Sequence, residues 1–148
     1  MIEYTDRWAG RNELIARLIP QGSSVLDLGC GARGLELLIP SCTYTGVDQP
    51  DFDMNRGRWP KGRYDVAVMS GVLECARFPA AAFRHLHDLV PLAFVSYSHG
   101  GRRRERSWVN DLSVEELQEL AAKAGWTAEP AGEWVHRHLR PQTVWRFT

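Results

Sequence analysis

Val25-Leu26-Asp27-Leu28-Gly29-Cys30-Gly31-Ala32-Arg33-Gly34-Leu35-Glu36 joins a short strand to a glycine-rich turn. Val25, Leu26 and Leu28, interrupted by Asp27, make a short strand-forming run that leads into three glycines, and an apolar run resumes at Leu35. Gly29, Gly31 and Gly34 fit a G-x-G-x-x-G pattern placed after a strand and before a helix. Glycines there permit a tight turn and close approach of a ligand to the backbone, and a following helix N-terminus favours an anion. Asp48 lies nineteen residues beyond Gly29, at the end of the next expected strand, where a carboxylate can take ribose hydroxyls. Taken by itself, the pattern reads as a dinucleotide site.

Asp27 tilts the balance. It sets a carboxylate inside the strand, two residues before the first glycine. A dinucleotide strand usually carries an apolar residue at that position, whereas a ligand bearing an ammonium and a sulfonium is served by a nearby negative charge. The length argues the same way. The 148 residues fit a single domain spanning 1–148, too little for the second, substrate-binding domain of many dehydrogenases.

Outward from the glycine loop, strands alternate with helices. Trp8, Asn12, Ile15 and Ile19 recur at helical spacing, and Pro20 and Gly22 end that helix. Strands are expected at 44–48, 65–69 and 92–97, a brief helix at 35–39 and a longer one at 78–89. Ser113-Val114-Glu115-Glu116 is a capping box opening a helix that stops at Gly125. Two closing strands, about 126–133 and 143–147, pair as a hairpin. Such alternation predicts an α/β fold, a mostly parallel sheet with helices on both faces and an antiparallel C-terminal hairpin.

In this order the motifs resemble those of the class I S-adenosylmethionine-dependent methyltransferases, small bacterial-type domains with a Rossmann-like fold. Asp27-Leu28-Gly29-Cys30-Gly31 matches the first motif, Gly46-Val47-Asp48 the acidic end of the second strand, and residues 63–74 the segment written FDvVv…vLEH. Residues 112–126 resemble the late "LS…EL…AGW" helix, and the likeness spans about residues 8–147. It implies S-adenosylmethionine as cofactor. Gly29, Cys30 and Gly31 would approach its methionyl part, Asp27 its amino group and Asp48 its ribose. Sixteen residues separate Asp48 from Tyr64, where the family fits a helix and a strand. Residues 51–55 are therefore expected to form an abbreviated third strand, with Asp53 accepting from the adenine amino group and Phe52 or Met54 against the ring.

Methyl transfer is an in-line displacement that needs positioning and exclusion of water, with a base only where the acceptor is protonated. The catalytic candidates follow strands at the expected C-terminal edge: Glu74, Tyr97 and His99. Cys75 stands where many small-molecule relatives carry His, and residues 102–108, rich in Arg and ending in Trp108, are a candidate lid. His85 and His87 point to different helix faces, and His136 and His138 lack a carboxylate partner, so no metal site is expected.

The expected reaction is methylation of oxygen or nitrogen on a small-molecule acceptor. The alternatives are a non-catalytic S-adenosylmethionine-binding or partner-binding domain and, behind it, an NAD-dependent oxidoreductase. Eighteen basic residues against eighteen acidic ones argue against nucleic acid as a partner. No apolar run reaches the length of a membrane span, and three cysteines without C-x-x-C spacing suit a reducing cytoplasm. The chain is expected to be a monomer or homodimer.

Overall fold

In the computed structural model, which describes residues 2–100, 106–136 and 139–148, Val25 pairs with both neighbours at once. Strand β1 (Ser24–Leu28) lies parallel to β2 (Thr43–Val47) on one side and to β3 (Val66–Met69) on the other. β4 (Leu92–Tyr97) continues the parallel run, and the antiparallel pair β5 (Ala128–His136) and β6 (Leu139–Phe147) closes it in the order β2-β1-β3-β4-β6-β5.

Both faces of this sheet are apolar, as buried parallel strands require. Leu26, Leu28, Ala67, Met69, Val95 and Phe147 face one way. They meet α2 (Pro79–Leu89) through Phe83 and Leu86, and α3 (Val114–Lys123) through Leu117 and Ala121. Val25, Val66, Val68, Phe94 and Val144 face the other way and meet Ile15 and Ile19, in and just beyond α1 (Ile2–Leu18). The period of two along β1 therefore puts Asp27 on the α1 side, among apolar neighbours. The α3 capping box is formed as expected: Glu116 N donates to Ser113 Oγ at 3.1 Å, and Ser113 N to Glu116 Oε1 at 3.2 Å.

Two elements differ from the sequence expectation. The helix expected at 35–39 is a single 3-10 turn, Glu36–Leu38, so no α-helix follows the glycine loop. The strand expected at 51–55 is absent. Asp53 instead caps a 3-10 turn, Met54–Arg56, and a lone bridge joins it to Arg58. β2 is consequently the sheet edge. The chain turns back from Asp53 before a strand can form, because Asp53 Oδ1 accepts from Asn55 N at 3.1 Å and the turn competes with the ladder. No helix is long and apolar enough to cross a membrane among the described residues.

Candidate functional site

The glycine loop is held to the edge of the sheet by its own backbone. Gly29 N and Cys30 N both donate to Val47 O, at 2.8 and 3.1 Å. Gly29 has φ +78°, and a Cβ on it would stand 2.5 Å from Val72 Cγ2, so no other residue fits there. Gly31 also has positive φ, yet an added Cβ would meet nothing within 4 Å. The backbone at Gly31 thus borders open space, as a ligand cradle must.

Asp48 locks this loop. Its Oδ2 accepts from Gly31 N and its Oδ1 from Gln49 N, both at 2.8 Å. An ionised carboxylate has about four lone-pair sites, so two remain on the exposed side.

Asp27 is only 5% exposed. Burial raises its carboxyl from 3.8 to about 6, opposed by the Tyr44 hydroxyl, which donates to Oδ2 at 2.6 Å, and by the charge of Arg11. Arg11, from α1, is 7% exposed and borders the same space. Its burial outweighs the fields of Glu74 and Asp27 and brings the guanidinium down to about 10. Arg11 Nη1 donates to Gln142 Oε1 at 2.9 Å, tying α1 to the start of the β6 pairing. The sequence reading missed both Arg11 and Gln142. The one available signal was a basic residue at a position where the apolar stripe of α1 meets the sheet.

Arg11 and Gln142 line, with Ser70, Gly71 and Trp108, one cleft of about 450 Å³ between the glycine loop and α1, and Asp48 is not among the residues that line it. Asp27, Gly29, Cys30 and Gly31 line it. Ser70 Oγ is buried there with no hydrogen-bond partner among the described residues.

The remaining sequence candidates are placed elsewhere. Phe52 is 4% exposed and turned into the α2-side core, edge-on to Trp59 at 5.1 Å, which withdraws it as a platform for a ring. Met54 packs on the same core. The carboxylate of Asp53 is spent on its cap and on Arg56, 3.7 Å away. Glu74 is 1% exposed, accepts from Ser98 N at 3.2 Å and acts on the cleft through the field it exerts on Arg11.

Tyr97 and His99 stand at the expected strand edge but are engaged internally. The Tyr97 hydroxyl donates to Asn110 Oδ1 at 2.5 Å and accepts from Leu112 N at 2.7 Å, and burial pushes it up to about 12. Trp145 Nε1 donates to His99 Nε2 at 2.9 Å, so the proton sits on Nδ1, which donates to Leu112 O at 2.9 Å. With both ring nitrogens occupied, His99 is a clamp between β4, β6 and the approach to α3 rather than a base. His99→Ala is expected to lower stability by about 1–3 kcal/mol, because the Trp145 N–H loses its acceptor in the interior. Chemical denaturation checks this, and an unchanged midpoint would refute the clamp. Of the candidate lid, residues 102–105 lie outside the described residues, as does His138.

A parallel sheet of this order, with its cleft at the C-terminal strand ends beside a glycine loop, is the Rossmann-like fold of the class I methyltransferases. The chain belongs to the methyltransferase-domain family, whose model matches residues 3–137. No curated protein matches it by sequence.

Solved structures show the same fold. A 1,6-didemethyltoxoflavin-N1-methyltransferase of Burkholderia thailandensis, with 1,6-didemethyltoxoflavin and S-adenosylhomocysteine bound, is 18% identical with a TM-score of 0.75, over 97% of this chain and 79% of that one. An O-methyltransferase from neocarzinostatin biosynthesis, in complex with S-adenosyl-L-homocysteine and 1,4-dihydroxy-2-naphthoic acid, is 19% identical with a TM-score of 0.65. It is matched over 98% of this chain and 56% of its own length. A possible histamine N-methyltransferase of Thermotoga maritima is 13% identical with a TM-score of 0.62, over all of this chain and 95% of that one.

Proposed function

We propose that this protein transfers a methyl group from S-adenosylmethionine to an oxygen or nitrogen of a small-molecule acceptor. The observation that carries the reading is a pair of buried opposite charges, Asp27 and Arg11, lining one cleft beside the glycine loop. An amino-acid end, with its ammonium and carboxylate, complements such a pair. A pyrophosphate does not: Asp27 would repel it, and no α-helix follows the loop to favour it.

The residues present fit the cofactor. Asp27 would take the ammonium, Arg11 the carboxylate, and Asp48 the ribose hydroxyls through its two remaining lone-pair sites. When bound, S-adenosylmethionine supplies an electrophilic methyl on a sulfonium. The chain supplies position: Gly29 and Gly31 bring the backbone close, α1 lines the cleft, and Arg11 is held in place by Gln142. With Tyr97 and His99 tied up, proton removal is left to the acceptor's own acidity or to water. This favours acceptors that are already nucleophilic at working pH.

Calorimetry with S-adenosylmethionine, S-adenosylhomocysteine and NAD tests the reading. Both adenosyl ligands are expected to bind and NAD is not; binding of NAD alone would overturn it. Asp48→Ala is expected to weaken S-adenosylhomocysteine binding by about 1–3 kcal/mol. Asp48→Asn keeps an oxygen for Gly31 N but sets its NH₂ against the Gln49 N–H, so it is expected to bind with intermediate affinity. Equal affinity in wild type and both variants would remove Asp48 from the site. Turnover on an acceptor panel decides between the enzyme and a domain that binds the cofactor without using it.

A further inference from the structure

Gly46 is the register partner of Asp27 across the β1–β2 pair, so the two positions share a sheet face with Tyr44, two residues back along β2. A Cβ on Gly46 would stand 2.9 Å from Tyr44 Cε1 and 3.0 Å from both Tyr44 Oη and Cys30 Sγ. The bare backbone at Gly46 is thus the bed on which the Tyr44 ring lies. Along that bed the hydroxyl reaches Asp27 and donates to Oδ2 at 2.6 Å.

A second contact holds the ring from outside. Arg33 is the one non-glycine residue with positive φ among the described residues, at +61°. Such a conformation costs free energy and persists where the surroundings hold it. The guanidinium carbon of Arg33 stands 4.9 Å from the centre of the Tyr44 ring, and Nη2 is 2.7 Å from Glu36 Oε2. The exposed ion pair adds little, so the ring contact is what ties Arg33 to the site.

The charged and titratable groups that face Asp27 are Arg11 from α1, Cys30 and Arg33 from the glycine loop, Tyr44 from β2 and Asp48 just beyond it. Tyr44 is the one hydrogen-bonded to it among the described residues. Burial and the neighbouring carboxylate push the Tyr44 hydroxyl up, so it remains a donor at every working pH. Asp27 Oδ1 has no hydrogen-bond partner among the described residues, and Asp27 lines the cleft. Tyr44 does not line it.

We propose that Tyr44 is a positioning residue of the cofactor site: with room left by Gly46 and Arg33 stacked on its ring, it holds the Asp27 carboxylate through Oδ2 and leaves Oδ1 for the ammonium. This rests on the methyltransferase reading and deepens it, because Tyr44 acts on the ligand through Asp27. A hydrogen bond donated to a carboxylate favours its ionised form, the form an ammonium needs.

The test compares the full wild-type chain with Tyr44→Phe, which keeps the ring and removes the hydroxyl. Carbon-detected NMR follows the Asp27 carboxyl in the ligand-free protein, and calorimetry follows S-adenosylhomocysteine affinity from pH 5 to pH 8. Without its donor Asp27 is expected to titrate about one pH unit higher than in the wild type. Affinity should then be about fivefold weaker than wild type at pH 6 and within about twofold at pH 8, where both proteins carry Asp27 ionised. Gly46→Ala, whose Cβ displaces the ring, is expected to reproduce the upward shift.

An Asp27 titration that is the same in wild type and Tyr44→Phe would overturn the proposal. So would an affinity lowered by one factor at every pH, which is what a merely structural tyrosine gives. Failure of the wild type to bind S-adenosylhomocysteine overturns the methyltransferase reading, and the ligand-free titration still decides whether Tyr44 holds Asp27.

Discussion

Asp27→Asn is expected to make the protein more stable and unable to hold its cofactor. In the folded chain the Asp27 carboxyl is raised from 3.8 to about 6, with burial the largest cause. The fold therefore prefers the protonated form. Below about pH 4 both folded and unfolded chains carry it protonated, and it costs nothing. As pH rises from 4 to 6 the unfolded chain ionises first, and the fold loses about 3 kcal/mol, which stays lost above pH 6. Asparagine carries no charge to desolvate and keeps an oxygen for the Tyr44 hydroxyl.

At pH 7.5 the variant is expected to gain about 1–3 kcal/mol, read from urea denaturation, and the gain should vanish near pH 4. S-adenosylhomocysteine affinity should fall by about tenfold or more, because a neutral amide replaces the partner of an ammonium. In the wild type the same affinity is expected to drop about tenfold between pH 7 and pH 5, following the protonation of Asp27. A destabilised variant that binds normally would remove Asp27 from the cofactor site.

Arg11→Met is expected to act in the opposite sense on stability. The stem is preserved, but Glu74 and Asp27 lose a buried counter-charge and Gln142 loses its donor. Stranding the remaining charges is costly, but the variant also relieves the desolvation that brings the guanidinium down to about 10, so the net loss is expected to be about 1–2 kcal/mol. The loss should shrink toward pH 5 as the Asp27 carboxyl protonates. Adding Asp27→Asn should recover part of it, a coupling that a double-mutant cycle measures. Cofactor affinity is expected to fall about thirtyfold, equivalent to about 2 kcal/mol, for want of a partner to the carboxylate. A variant of wild-type stability at pH 7.5 would show that Arg11 is not the counter-charge of this cluster.

Much of this molecule could be read along the chain. The turn after Leu28, the carboxylates at 27 and 48, the capping box at Ser113 and the closing hairpin each depend on residues a few positions apart. Their hydrogen bonds and periodicities lie within a short window. The same local reasoning erred at residues 51–55, where strand and turn chemistry compete. There a cap by Asp53, 3.1 Å from Asn55 N, decides for the turn and leaves β2 at the edge.

Tyr97 and His99 were correctly set beside the C-terminal strand ends, yet their chemistry depends on Asn110, Leu112 and Trp145, 13 to 46 residues away. Those partners convert two acid–base candidates into structural clamps. Arg11 is the sharper case. Its place on the stripe of Ile15 and Ile19 is the one local mark, a weak one in a chain where sixteen of the eighteen basic residues are arginine. It becomes a buried cation only because α1 crosses the sheet edge and Gln142, 131 positions along, receives it. Neighbours along the chain set the turn after Leu28, the cap at Ser113 and the carboxylates beside the loop. Tertiary structure alone decided which charges leave water and which donors remain for a ligand, because desolvation is set by everything packed around a group and not by its neighbours in the chain.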